Sequence, residues 1–172
     1  AYDAKQNAQT VADLQLVAWI LSQFSTIDEV KAALQDIRVV SVDTTGASST
    51  VHWRIGDASG RQVVLEFVDG VPHFYDNEIG VLTNSPSFPW QMTNLNNYVN
   101  LYPGGAEAHQ LGGVTIFPFG AGSGFRGIPG DVTPPSRFVF SAFYKATAPQ
   151  CATAYDAVLQ SFHILNIFDI PI

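Results

Sequence analysis

A chain of 172 residues, 47% of them apolar and only 13% charged, has the length of one domain and ample material for a solid core. Fifteen acidic against eight basic residues leave a net charge of −7, which repels phosphate backbones and anionic headgroups and argues against nucleic acid or a membrane surface as partner. No window carries eighteen consecutive apolar residues, and no basic, apolar, small-residue leader opens the chain.

In chain order, Val11, Leu14, Val17, Ala18 and Leu21 recur at the three-and-four spacing of one helical face, which predicts an amphipathic helix over residues 10–24. Thr26 and Glu29 form a capping-box pattern that restarts a second helix through about residue 36. The period then changes. "IRVVSV" (37–42), "TVHWRIGD" (50–57), "RQVVLEFV" (61–68) and "VPHFYDN" (71–77) are rich in β-branched and aromatic residues, with tight turns marked by Gly60 and by Asp69-Gly70. They predict an antiparallel meander. A loop-rich centre from Gly80 to Pro135 follows, with the short apolar segment "GVTIFPF" inside it, and two helices over 136–147 and 150–167 close the chain. Helices on either side of a run of antiparallel strands imply an α+β layered fold rather than a parallel βαβ sheet. The chain starts at Ala1 and stops in the apolar run "FHILNIFDIPI", whereas termini normally lie in solvent, so both ends read as cuts through a longer fold.

Gly122, Gly124 and Gly127 have the spacing of a phosphate-cradling loop, which works only where the third glycine opens a helix. Pro129, Pro134 and Pro135 forbid that helix, so the nucleotide reading fails. Cys151 is the only cysteine, which excludes an intrachain disulfide; its place just after Pro149 suggests a helical first turn, and a free thiol is more often a buried structural residue than a nucleophile. His52, His73, His109 and His163 show no metal-ligand spacing, so no metal or other cofactor is expected, and Cys151, Asp156 and His163 form a triad only on paper. The segment "GVLTNSPSFPWQMTNLNNY" gathers Asn84, Asn94, Asn96 and Asn97 with Thr83, Thr93 and Trp90, and such a set either caps its own backbone or lines a pocket. Ser136 makes a good helix N-cap, while Arg137 is unfavourable for the dipole at a helix start and points to an anionic partner elsewhere.

Three segments, "LTNSPSFPWQMTNLNNY", "GIPGDVTPPSRFVFSAF" and "VHWRIGDASGRQVVLEF", together resemble the choloylglycine hydrolase family, which includes bile salt hydrolases and penicillin V acylases. Their order and separation extend the resemblance over essentially the whole chain. It implies an N-terminal-nucleophile hydrolase with an αββα four-layer sandwich, antiparallel sheets flanked by helices, incomplete in this chain, whose residues 1–172 form the central part of a single domain. In such enzymes a cysteine at the chain's N-terminus attacks a linear amide and its own α-amine serves as base. Asn84 matches the asparagine that helps form the oxyanion hole, and Arg137 the arginine beside the nucleophile. No residue matches the nucleophilic cysteine, the arginine and aspartate that follow it, or the second oxyanion asparagine, and Cys151 is not in the nucleophile's place.

The resemblance implies a small-molecule N-acyl amide substrate, such as penicillin V, a conjugated bile salt or a fatty acyl amide, with the loop "DTTGASS" (43–49) helping to set the choice. The chain alone is expected to be inactive, and its apolar ends imply homo-oligomerisation or association with the missing segments. Localisation, periplasmic or cytoplasmic, depends on the segment before Ala1. The rival reading is a non-catalytic truncated paralogue or a module that binds small amphipathic ligands around Trp90.

Overall fold

The computed structural model describes residues 9–42 and 51–169; the loop over residues 43–49 lies outside the described residues. The chain divides into two compact units, Ala1–Leu82 and Thr83–Ile172.

The first unit opens on a strand, β1 (Gln9–Ala12), where the apolar spacing predicted helix; a 3-10 turn (Asp13–Gln15) follows, and helix α1 (Leu16–Gln23) begins only then. Thr10 and Val11 are β-branched and fit a strand better than a helical turn. Asp13, buried at the junction, accepts from the backbone N–H of Leu14 at 2.8 Å and of Val42 at 3.4 Å. Strand β2 (Ile37–Val40) pairs with β1 in parallel, Gln9 opposite Ile37 through Ala12 opposite Val40. That corrects the antiparallel meander expected to start at "IRVVSV". Two helices separate the strands and bring the chain back in the same direction, as a parallel pair requires.

The buried face of α1 also differs from the expected one. Leu16 and Ile20 are buried, with Trp19 and Phe24 packed against the same core, whereas Leu14, Val17 and Leu21 are exposed. Apolar residues surround this helix, so two stripes satisfy its period, and the pattern alone does not choose between them. Helix α2 (Ile27–Ala33) carries the expected capping box: Thr26 Oγ1 accepts from Glu29 N–H, and Glu29 Oε2 accepts from Thr26 N–H at 2.9 Å. The backbone N–H groups of Ser25 and then Thr26 hold the Glu29 carboxyl below the usual carboxylate range.

The other three expected strands form the antiparallel meander, β3 (Trp53–Gly56), β4 (Gln62–Val68) and β5 (Val71–Asp76), in that spatial order. Asp69 and Gly70 both take positive φ, 51° and 82°, as the twist of a two-residue hairpin turn demands. Val63 through Phe67 of the central strand are all buried, so β4 is covered on both faces. Trp53, Leu65 and Phe67 join Leu16, Ile20 and Val39 in one apolar cluster.

The second unit is less irregular than the loop-rich reading of residues 80–135 implies. It contains helix α3 (Phe88–Leu95) and a hairpin of β6 (His109–Leu111) and β7 (Val114–Ile116). Pro89 sits in the first turn of α3, where its missing N–H has no intrahelical partner to lose, and Phe88 and Gln91 are buried. Helix α4 (Pro134–Thr147) starts two residues before the expected position, with Thr133 rather than Ser136 as the N-cap residue. Phe138, wholly buried, meets Phe88 edge-on with ring centroids 6.1 Å apart and locks α4 to α3. Helix α5 (Ala154–Leu165) starts after Thr153, whose Oγ1 accepts from Asp156 N–H at 3.1 Å. Cys151 therefore precedes the helix, and it is exposed, not the buried first-turn thiol expected from sequence. No residue of α5 is buried, and Tyr155, Val158, Phe162 and Leu165 are exposed.

Candidate active site around Asn84 and Arg137

The glycine-rich approach to α4 makes no helix N-terminus for a phosphate: a 3-10 turn at Ser123–Phe125 leads into extended backbone at Arg126. Gly124 has a different reason to be glycine. Its N–H donates to Gly104 O at 2.9 Å, its carbonyl accepts from Tyr102 N–H at 3.1 Å, and a Cβ there would collide with the Tyr102 carbonyl. Two chain segments cross at contact distance, which only glycine permits.

After this crossing, Asp131 shapes the entry to α4. One of its oxygens accepts from Thr133 N–H at 2.9 Å and from the Thr133 hydroxyl, and the other accepts from Ser136 Oγ at 2.7 Å. These donors, the Thr133 hydroxyl first and the Ser136 hydroxyl next, hold the carboxyl at about 2 against an ordinary 3.8. Ser136, expected as a cap, is buried and serves as one of the donors. The sequence reading missed Asp131, although the aspartate two residues before a threonine is a local-turn signal.

Arg137 comes one helical turn later. Its Nε donates to Val132 O at 3.0 Å, and its Nη2 donates to Asn84 Oδ1 at 2.6 Å. The two residues singled out across 53 positions of sequence are thus in direct contact. The partner is a neutral amide oxygen and a main-chain carbonyl, not the anion expected from a cation at a helix start, and among the described residues Arg137 forms no ion pair. Asn84 is exposed; its own carbonyl accepts from Gln91 Nε2 at 3.4 Å, and the neighbouring Thr83 hydroxyl donates to Pro134 O at 3.0 Å.

The geometry has one chemical consequence. A guanidinium only donates, so it fixes the Asn84 amide with Oδ1 inward and directs the two Nδ2 hydrogens elsewhere. Asn84 is therefore a side chain held ready to donate, next to a permanent positive charge. Of the segment's other polar side chains, Asn97 Nδ2 donates to Asn94 Oδ1 at 3.1 Å, and Thr93 Oγ1 donates to Pro89 O at 2.9 Å.

Other sequence candidates have partners of their own. His52 Nδ1 lies 3.3 Å from Glu66 Oε1, and His73 stacks on Tyr75. The Cys151 thiol donates to Pro149 O at 3.7 Å, Asp156 accepts from Thr153 Oγ1 at 2.7 Å, and no bond joins Cys151, Asp156 and His163. Among the described residues no three His, Cys, Asp or Glu side chains gather to hold an ion, and no helix is long and apolar enough to cross a membrane.

The profile of the linear amide C–N hydrolases, choloylglycine hydrolase family, matches residues 1–172. A bile salt hydrolase/transferase of Clostridium perfringens is 38% identical over 150 residues, 86% of this chain and 46% of its own length. Penicillin V acylase of Pectobacterium atrosepticum is 31% identical over 140 residues, 76% of this chain and 31% of its own. The crystal structure of a variant of the Clostridium perfringens conjugated bile acid hydrolase superposes with a TM-score of 0.81 at 33% identity, covering 98% of this chain and 52% of the other. Penicillin V acylase from Agrobacterium tumefaciens shares the fold, with a TM-score of 0.75 at 20% identity over 99% of this chain and 46% of the other. The chain thus spans about half the length of the curated bile salt hydrolases it matches. On a profile match over its whole length, joined to a fold shared with bile acid hydrolase and penicillin V acylase, the chain belongs to the choloylglycine hydrolase family.

Proposed function

We propose that the protein containing these residues hydrolyses a linear carbon–nitrogen amide through an N-terminal cysteine supplied by a preceding segment, with Asn84 donating to the oxyanion and Arg137 holding it in the donating orientation. The 2.6 Å contact between Arg137 Nη2 and Asn84 Oδ1 carries this reading. In it, residues 1–172 are the central part of one N-terminal-nucleophile domain, and the complete fold is the αββα four-layer sandwich.

The cysteine thiolate attacks the amide carbonyl, and the carbonyl π-electrons move to oxygen. Asn84 Nδ2 donates to that developing oxyanion, a fixed donor whose orientation needs no rearrangement as charge appears. Collapse of the tetrahedral intermediate breaks the C–N bond, the departing nitrogen takes the proton gathered by the α-amine, and water then cleaves the thioester. Arg137, a cation on the same side chain cluster, favours the thiolate over the thiol. The names of the relatives direct the choice of substrate to conjugated bile salts and penicillin V. The apolar side chains exposed along α5 support association with further segments or with a second copy.

The test is Asn84→Ala in the full-length protein. Loss of one oxyanion donor lowers kcat by about 10² to 10³ while KM moves less. Unchanged turnover would reduce Asn84 to a loop-capping residue.

A further inference from the structure

Gln91 is the one polar side chain of α3 that the fold buries, at 1% exposure, and its amide is poorly provided for. Of its two donors and two lone pairs, the single bond formed among the described residues is Nε2 to the Asn84 carbonyl at 3.4 Å, while Oε1 is buried with no hydrogen-bond partner among them. For stability alone, an apolar side chain of the same length would serve this position better, because a buried unsatisfied acceptor destabilises the fold. The residue's value must lie in what it holds.

What it holds is the main chain of Asn84. Arg137 fixes the plane of the Asn84 side-chain amide, but that is not enough to place its Nδ2, since rotation of the backbone would carry the whole side chain with it. The Asn84 carbonyl sets the peptide plane that follows the residue, and Gln91 Nε2 reaches it from α3. Thr83, one residue earlier, is anchored to α4 through Pro134 O. Asn84 is thereby gripped by both helices, which are themselves locked by Phe88 against Phe138.

We propose that Gln91 is a positioning residue for the reaction, acting through Asn84: it fixes the backbone from which the oxyanion donor projects. The inference rests on the reading of Asn84 as that donor.

The experiment is a double-mutant cycle in the full-length enzyme, with amine release from glycine-conjugated bile salt and from penicillin V as the readout. Gln91→Met keeps length and apolar volume and removes the donor. It lowers kcat about ten- to a hundredfold, as expected for a misplaced catalytic group, with KM within about twofold and a melting temperature no lower than that of the parent. In an Asn84→Ala background the same substitution lowers kcat less than about twofold, because the group it positions is already gone. Gln91→Leu, which also lacks a donor and keeps the site apolar, repeats the loss if the methionine variant folds poorly. Unchanged kcat in Gln91→Met, or an equal fractional loss in both backgrounds, overturns the inference while leaving Asn84 in its role. Loss of folded structure in both variants assigns Gln91 to the fold alone and overturns it too. If Asn84→Ala by itself keeps normal turnover, the oxyanion reading fails first, so the two failures are distinguishable.

Discussion

Replacing Asn84 by aspartate separates what this residue does for the fold from the oxyanion role proposed for it. The contact it makes with Arg137, at 2.6 Å, survives the change and becomes an ion pair. Asn84 is exposed and Arg137 only partly buried, so solvent screens the new attraction to no more than about 1 kcal/mol. For a domain of this size that is a rise in melting temperature of at most about 4 °C. The chemical effect is opposite and larger. Nδ2 is lost, which costs about 10² to 10³ in turnover, and the carboxylate adds repulsion against the oxyanion, so the loss should equal or exceed that of Asn84→Ala. Stability and activity therefore move in opposite directions. Scanning fluorimetry and initial rates of amine release on the same preparation read both. A variant that melts lower and loses activity in parallel, or one that keeps kcat within about threefold of the parent, would refute the reasoning.

Asp131, whose carboxyl sits at about 2 in the folded chain against an ordinary 3.8, contributes stability that is complete above 3.8 and lost as pH falls through about 2. Asp131→Asn should accordingly flatten the acid side of the melting-temperature profile over that window, and an unaltered slope would remove Asp131 from the account. Phe138→Ala empties a wholly buried site at the junction of α3 and α4 and should destabilise the protein by about 3–5 kcal/mol by urea denaturation, with activity lost as the junction loosens. Residues 1–172 alone should release no phenoxyacetate from penicillin V and no glycine or taurine from bile conjugates; turnover that persists in Cys151→Ala would reveal a nucleophile outside this scheme. The same chain, with the apolar side chains of α5 exposed, should self-associate in sedimentation, and a monomer at high concentration would contradict that.

The parts legible in the sequence were those fixed by short-range chemistry. Thr26 and Glu29 cap α2 because each side chain reaches a backbone group three residues away. The Asp69-Gly70 turn sets the β4–β5 hairpin because both residues accept positive φ. Long-range choices were not legible. Nothing local tells Gln9–Ala12 to pair in parallel with Ile37–Val40, and nothing in the apolar spacing of α1 selects Leu16 and Ile20 over Leu14, Val17 and Leu21. Helix α3 was hidden in a segment rich in asparagine, yet Ser87 followed by Pro89 was a start signal. At the site, the family resemblance picked out Asn84 and Arg137 separately, while their contact, and the support of Gln91 and Asp131, depend on tertiary structure.

The central claim is that an amide is cleaved by acyl transfer to an N-terminal cysteine while Asn84 stabilises the oxyanion. Intact-mass and peptide mapping of the full-length protein, quenched in acid during turnover of penicillin V, tests it directly. The account predicts a phenoxyacetyl adduct on the N-terminal cysteine, none on Cys151, and a rate of adduct formation that falls by about 10² to 10³ in Asn84→Ala. Turnover without an acylated cysteine, or acylation at an unchanged rate in Asn84→Ala, would contradict it.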